Sequence, residues 1–331
     1  MIVDVVGGSG FIGTRFVKRL LTSSKVRSVS IIDKSACKKF PELVKLADVR
    51  SVDSLRSTIS ENSVIVNLAA EHRDDVKPIS LYDDVNVGGA SNICAVAREK
   101  GSNVIIFTSS VAVYGFAPIG TDEFGEISPF NDYGRSKYEA EHIFKSWQTE
   151  APQSRTLVII RPTVVFGEQN RGNVYNLLRQ IASGKFLMVG NGENRKSIAY
   201  VENVAAFIEY SMIFEPGVHI YNFIDKPDFT MNQLVGSVRR ILGQSEKIGF
   251  RLPFVIGFGL GKCFDLVAAI TGKQLAISSI RVKKFCANSV YNTAIDQTSF
   301  VPPVPISQAL AQTIRHEFME KHDHEPLYFS E

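Results

Sequence analysis

Ser110, Tyr133 and Lys137 are the residues whose types and spacing could do chemistry together. Tyr133 and Lys137 lie 23 and 27 residues beyond Ser110, in Asp132-Tyr133-Gly134-Arg135-Ser136-Lys137 after Thr108-Ser109-Ser110. A four-residue spacing puts the phenol and the ammonium on one helix face, one turn apart. A free tyrosine titrates at about 10. A neighbouring lysine cation favours phenolate and moves the group toward a general base at neutral pH. A hydroxyl such as Ser110 could bridge the phenol and a substrate alcohol. The set suits taking a proton from a carbinol while something else takes the hydride. Tyr-x-x-x-Lys also arises by chance, so its meaning depends on the start of the chain.

Ile2-Val3-Asp4-Val5-Val6 is a short apolar run suited to a buried parallel strand. Gly7, Gly10 and Gly13 follow as G-x-x-G-x-x-G, and Phe11, Ile12, Phe16, Leu20 and Leu21 then repeat at helical spacing. Glycines there permit a tight turn and close approach of the backbone to a pyrophosphate. The helix N-terminus supplies N–H groups and positive dipole for it. Lying between strand and helix gives the motif its weight. Val29-Ser30-Ile31-Ile32 is a second apolar run ending in Asp33, 20 residues after Gly13. A carboxylate there can accept bonds from ribose hydroxyls and repel a 2′-phosphate, which favours NAD over NADP. Lys34 softens that preference, and the plain alternative is a turn aspartate.

Further apolar and amphipathic segments alternate: strands over Val64–Leu68, Val104–Thr108 and Leu157–Ile160, helices over Val85–Lys100 and Tyr133–Phe144. That alternation predicts βαβ units in an α/β, Rossmann-type, doubly wound parallel sheet. Residues 1–165 are expected to form the NAD-binding domain. Residues 166–331 are expected to form a smaller, mainly substrate-binding domain, partly interleaved with the last strands of the sheet. At 331 residues, 44% hydrophobic and 21% charged, the chain can bury a sizeable core. A net charge of +3 is too mild to argue for nucleic acid. Cys37, Cys94, Cys263 and Cys286 show no C-x-x-C or disulfide-like spacing and are expected to be reduced thiols of a cytoplasmic protein. Met1-Ile2-Val3-Asp4 already reads as strand, so no signal peptide is expected.

The glycine motif, Asp33, Asp48-Val49, Asn67-Leu68-Ala69-Ala70, Asn86, Ser110, Tyr133-x-x-x-Lys137 and Arg161-Pro162 together resemble an extended short-chain dehydrogenase/reductase. The resemblance covers nearly the whole chain. It implies that Asp48 and Val49 flank the adenine, that Leu68, Ala69, Ala70 and Asn86 line the cofactor, and that Pro162 sits by the nicotinamide. Sugar-nucleotide dehydratases of that superfamily carry Thr-Asp-Glu where this chain has Ser110-Val111-Ala112, so elimination of water is not expected. Nucleotide-sugar 4-epimerases share the Ser/Tyr/Lys set, but Val164 stands where they have an asparagine. Lys196-Ser197-Ile198 stands for their Arg-Asp-Tyr-like run, and Arg281-Val282-Lys283-Lys284-Phe285 for their Arg-x-Gly-Asp.

The runs Glu71–Val76, Gly172–Leu178, Asp225–Asp228, Ile270–Lys273 and Arg281–Cys286 resemble one narrower group. These are the bacterial 4-epimerases acting on N-acetylglucosaminyl-diphospho-undecaprenol for O-antigen synthesis. That resemblance implies a polyprenyl-diphosphate-linked amino sugar as substrate and peripheral association with the cytoplasmic face of the inner membrane. Leu252–Gly261 has no charge, and Cys263–Ile270 adds apolar surface around Asp265. Ten residues do not span a bilayer. They could dock on one, with Lys262, Lys273, Arg281, Lys283 and Lys284 facing headgroups, but the residues alone favour a buried core helix. The oligomeric state is open, a homodimer included.

Glu71, His72 and Arg73 follow the Ala69-Ala70 turn and could contact the sugar. For Arg73 the alternative is an ion pair with Asp74 or Asp75. Arg171, after Glu168 and Asn170, or Arg195 could hold a diphosphate bidentately, each equally a surface charge. His316, His322 and His324 invite a metal reading, but H-E-x-x-H is absent and no metal is expected. An NAD-dependent alcohol dehydrogenase of hydroxysteroid type and a UDP-sugar 4-epimerase remain alternatives. A non-catalytic dinucleotide sensor is disfavoured by the retained Tyr/Lys pair.

Overall fold

A computed structural model describes residues 1–73, 76–271, 278–322 and 324–329. Apolar runs too short for helices become the strands of one sheet: β1 (Ile2–Val6), β2 (Ser28–Asp33), β3 (Val44–Leu46), β4 (Val64–Asn67), β5 (Val104–Thr108) and β6 (Thr156–Pro162). Three outlying strands follow, β7 (Val164–Phe166), β8 (Met188–Val189) and β9 (Arg195–Tyr200). Then β10 (Gly217–Phe223) returns to the main sheet, and β11 (Asp225–Thr230) and β12 (Arg251–Leu252) lie outside it. The main sheet has seven strands in the order β10-β6-β5-β4-β1-β2-β3, every pair parallel. This is the doubly wound arrangement, with its switch point where β1 meets β4. In such a sheet ligands collect beyond the carboxyl ends of the strands.

Helices close both faces, because strands buried on both sides need covering on both. The crossovers of the first half are α1 (Phe11–Leu20), α2 (Val52–Thr58), α3 (Ser80–Tyr82), α4 (Gly89–Glu99) and α5 (Asp132–Thr149). Val3, Phe16, Leu20, Val66 and Ile106 pack on one face with Phe207. Ile65, Ile93, Ile105, Phe107, Phe144 and Trp147 pack on the other. A separate apolar centre forms where α6 (Asn173–Ala182), α7 (Val201–Ser211) and α8 (Met231–Ile241) meet the three-stranded sheet β11-β9-β7.

The crossover helix between β4 and β5 starts five residues earlier than the periodicity predicts. Ser80–Tyr82 runs into a π-helical stretch, Asp83–Gly88, before α4 begins. The Tyr/Lys helix is longer than predicted. Asn131 caps it through a 2.9 Å bond from the Gly134 N–H to its side chain, and Trp147 extends its apolar face beyond Phe144.

The apolar segment departs most from expectation. Phe254–Thr271 is a single helix, α9, followed by α10 (Ser279–Cys286) and α11 (Ile306–Phe318). Instead of being a core helix, α9 buries only Gly257 and Gly261, while Val255 and Ile270 are 78% and 76% exposed. A Cβ on Gly261 would stand 2.7 Å from Ser279, and one on Gly257 would stand 2.7 Å from Val189. The two glycines therefore let one narrow edge dock on α10 and β8, and the large side chains face outward.

Phe144 anchors the Tyr/Lys helix, its ring 4.7 Å from that of Phe107. Both rings are essentially without exposed surface. Phe144→Ala should cost about 3–5 kcal/mol in urea unfolding; a loss below about 1 kcal/mol would mean α5 is held elsewhere.

Candidate active site

The glycine turn fits a dinucleotide. Gly7 has φ +78°, and a Cβ there would meet the Ala69 nitrogen at 2.5 Å; one on Gly13 would meet Gly8 at 2.6 Å. The backbone between β1 and α1 thus lies hard against the Leu68-Ala69-Ala70 turn that leaves β4. No side chain caps the N-terminus of α1, and no acidic residue stands in its first turn of Phe11, Ile12 and Gly13. Those N–H groups could hold a pyrophosphate. Asp33 ends β2, its carboxylate accepting bonds from the Ser9 and Ser35 N–H groups at 3.0 and 2.9 Å. The glycine turn and the carboxylate expected to meet the ribose are thereby one unit.

Asp48 is gripped by Arg50, with Nη2 2.6 Å from Oδ2, and that guanidinium lowers its pKa. The Val49 carbonyl accepts from Asn92 at 2.8 Å, which fixes the strip expected beside an adenine. Asn86, in the π-helical stretch, accepts from the Glu71 N–H at 2.9 Å and donates to the Glu71 carbonyl and to Ser136 at 3.0 and 2.9 Å. It ties the turn after β4 to α5. Pro162 ends β6, buried and paired with Phe223 of β10.

Ser110 follows β5 in an extended conformation, its hydroxyl accepting from the Ala112 N–H at 3.1 Å. A Cβ on Gly134 would lie 2.5 Å from the Ala112 carbonyl. That close approach presses the first turn of α5, with Tyr133, onto the Ser110 turn; a larger residue would separate them. One turn on, Lys137 has 2% of its surface exposed, with Nζ 4.4 Å from the centre of the Phe107 ring. Burial pushes its pKa down to about 7, against the opposing pull of the Glu141 carboxylate. His72 reaches solvent beside this face, yet surrounding protein, then Lys137 and Arg73, hold its imidazole below the ordinary value. The Glu71–Arg73 segment thus lies next to the Tyr/Lys helix. Asp74, Asp75 and Lys273 lie outside the described residues.

The two arginines suggested for a diphosphate belong to other elements, Arg171 just before α6 and Arg195 in β9. Arg171 pairs with Glu317 at 2.8 Å and stacks over Tyr175 at 4.1 Å, while Arg195 is an exposed residue at the start of β9. Glu168 and Asn170 serve local structure, Glu168 accepting from Tyr200 at 3.1 Å and Asn170 from the Gly172 N–H at 2.6 Å. Near the C-terminus His316, His322 and Glu325 come within 4.8 Å of one another through their nitrogens and oxygens. The two rings stack at 3.6 Å and each meets the carboxylate.

Sequence reading missed a buried network under the site. Glu141 and Arg161 form a bidentate pair at 2.8 and 2.6 Å, which Ser109 joins at 2.6 Å. The signal was present: Arg161 is a cation in an otherwise apolar strand, and Glu141 falls four residues after Lys137, on the inward face with Ala140 and Phe144.

A dinucleotide turn joined to a Ser/Tyr/Lys face at the carboxyl ends of a parallel sheet defines a dinucleotide-dependent enzyme of carbinol chemistry. The chain belongs to the NAD dependent epimerase/dehydratase family, whose model matches residues 3–222. NAD is its cofactor. It is 46% identical, over 99% of both chains, to the N-acetyl-alpha-D-glucosaminyl-diphospho-ditrans,octacis-undecaprenol 4-epimerase of Escherichia coli O157:H7. It is also 30% identical to the UDP-glucose 4-epimerase of Vibrio cholerae, over 82% of each chain. Its fold is that of the Thermotoga maritima UDP-glucose 4-epimerase with UDP-glucose (TM-score 0.74, 19% identity, 96% and 98% of the chains). The Bacillus cereus UDP-glucuronic acid 4-epimerase with NAD shares it as well (TM-score 0.71, 18% identity, 96% and 98%).

The buried lysine has a measurable consequence. An unfolded lysine keeps its proton to about pH 10, whereas folded Lys137 releases it near 7. Between those values the unfolded chain binds more protons, so stability from this residue rises with pH, the burial penalty being fully present below 7. In NAD-free protein, the stability gained by Lys137→Met should therefore be largest near pH 6 and shrink toward pH 10. A difference constant across that range in urea titrations would contradict it.

Proposed function

We propose that this enzyme is a 4-epimerase interconverting GlcNAc- and GalNAc-diphospho-undecaprenol for O-antigen synthesis, through a 4-keto sugar. End-to-end similarity to the E. coli enzyme carries this reading. Gly7, Gly10, Gly13 and Asp33 would hold NAD, which would supply the acceptor and then the donor of the C4 hydride. Tyr133 takes the proton from the 4-hydroxyl and later returns it. Lys137 keeps the phenol acidic and holds the nicotinamide ribose, and Ser110 positions the hydroxyl. The keto sugar turns between the two half-reactions, so reduction occurs on its other face.

Tyr133→Phe should lose several orders of magnitude in turnover while still binding NAD; wild-type turnover would remove Tyr133 from this role. Because the hydrogen returns to the carbon it left, no NADH absorbance should accumulate with product, and GalNAc-lipid should revert to GlcNAc-lipid. Stoichiometric NADH would favour an alcohol dehydrogenase instead.

Surface chemistry supports a lipid carrier. Val164 is 41% exposed and offers no hydrogen bond through its side chain. Lys196 turns its amine inward, donating to the Lys284 carbonyl at 2.8 Å. Meanwhile α9 presents Phe254, Val255, Ile256 and Leu260 to the outside. By length and composition alone α9 could cross a membrane. However, Lys262 and Asp265 stand mid-helix, and Asp265 accepts from the Ser279 N–H at 3.2 Å, tying it to α10. We read it as a helix lying in the cytoplasmic face of the inner membrane. Lys283 and Lys284, stacked over Phe116 and Phe130 at 4.9 and 4.7 Å, would then meet phosphate groups. Charged substitutions at Phe254, Ile256 and Phe258 should raise the KM for the undecaprenyl substrate far more than for a short-chain analogue. Equal turnover of UDP-GlcNAc by the unmodified enzyme would overturn the lipid carrier and support a nucleotide-sugar epimerase.

A further inference from the structure

Directly beneath the Ser/Tyr/Lys face lies a charged pair that the proton transfers do not use. Glu141 has no exposed surface and Arg161 has 2%. Arg161 Nε and Nη2 donate to the two Glu141 oxygens at 2.8 and 2.6 Å. Lys145, on the same helix, comes within 3.7 Å of the carboxylate. From β5, Ser109 donates to Glu141 at 2.6 Å. Arg161 Nη1 also donates to the Tyr114 hydroxyl at 2.6 Å, which donates to Asn222 of β10 at 2.8 Å.

Stability alone does not account for this arrangement. Buried ion pairs are costly to desolvate, and apolar residues of similar volume often serve stability as well. What sets this pair apart is its neighbours in sequence. Ser109 precedes Ser110, Arg161 precedes Pro162, and Glu141 stands one turn beyond Lys137. One carboxylate therefore joins the three elements that carry the reacting face. It is also the anion acting on Lys137. His72 from the turn after β4 and the Phe107 ring from β5 also face that ammonium, and Tyr133 stands one turn before it on the same helix.

We propose that Glu141 is a positioning residue for the reaction. Through Ser109 and Arg161 it sets Ser110 against Tyr133, and its charge keeps Lys137 in the ammonium form that makes the Tyr133 phenol a base. This rests on the Tyr133 and Lys137 assignment. The burial that depresses the Lys137 pKa would otherwise favour the neutral amine at working pH.

The test uses the NAD-loaded enzyme. The Tyr133 phenol is titrated by ultraviolet difference between otherwise identical proteins with and without Tyr133→Phe, a readout that needs no sugar. Glu141→Gln keeps the shape and one acceptor but removes the charge. It should move the phenol titration upward by about one pH unit, a tenfold change in proton affinity, and lower kcat at neutral pH by about tenfold with KM little changed. Glu141→Asp should recover most of the titration shift. A folded Glu141→Gln with wild-type titration overturns the proposal, and so does one that loses activity without any shift, since that marks a structural role alone. If Glu141→Gln does not fold, Ser109→Ala decides: a several-fold fall in kcat at unchanged KM is expected, and wild-type kcat overturns the proposal. Failure of the underlying assignment shows separately, as turnover retained by Tyr133→Phe.

Discussion

On the proposed mechanism, the site depends on keeping a lysine cation where water hardly reaches it. Lys137 lies against the Phe107 ring with almost no exposed surface. A charge in such a place acts strongly on its neighbours, because little solvent screens it. The surrounding architecture follows from that requirement. Two apolar strands, β5 and β6, form the floor; Phe144 and Trp147 fasten the helix; and Gly134 lets its first turn approach the Ser110 turn closely. None of these contacts is chemical in itself, yet each fixes a distance on which the proposed proton transfer would depend.

The cofactor side obeys a steric constraint of the same kind. With φ positive at Gly7 and the Ala69 nitrogen 2.5 Å from where a Cβ would lie, the first and fourth strands deliver their loops to a single point. A parallel sheet makes this possible because every strand ends at the same edge. The dinucleotide turn, the Ala69-Ala70 turn, Ser110 and Pro162 all issue from that edge. Residues from four separate stretches of sequence thus form one surface without any long loop having to fold back.

How much of this could be read from residues alone varied with the range of the interaction. Local patterns were legible. The apolar run into Gly7–Gly13, Asp33 at the end of β2 and the i,i+4 Tyr/Lys pair each express backbone geometry over a few residues, and the structure places them in the expected elements. The Glu141–Arg161 pair was not legible as a pair, because its members sit on different elements and meet only when α5 packs on the sheet. The π-helical stretch that positions Asn86 was lost inside an ordinary helical periodicity. The apolar segment misled for a different reason. Composition cannot distinguish a helix apolar all round because it is buried from one apolar all round because it faces lipid, and the residues favoured burial. Its glycines held the clue, since Gly257 and Gly261 mark a narrow edge that approaches protein closely while Val255, Ile256 and Leu260 stay clear of it.

That exposed helix and the fate of Lys196 belong to one argument about the carrier. Lys196 stands in β9, where its amine is buried, with a pKa lowered to about 8, and donates to the carbonyl of Lys284. Its neighbour Ser197 donates to Asp228. The segment therefore supports the junction between β9 and α10 and offers no charge to a nucleotide. The junction it supports carries Lys283 and Lys284, whose side chains lie over Phe116 and Phe130, and Phe130 comes three residues before Tyr133. On the lipid-carrier reading, a chain anchored along α9 brings its diphosphate to α10 and its sugar to the phenol over a short path. Binding strength then resides in apolar surface outside the pocket, at about 0.8 kcal/mol per buried methylene. On this reading the site needs only to hold a single sugar loosely enough for it to turn over between the two hydride transfers.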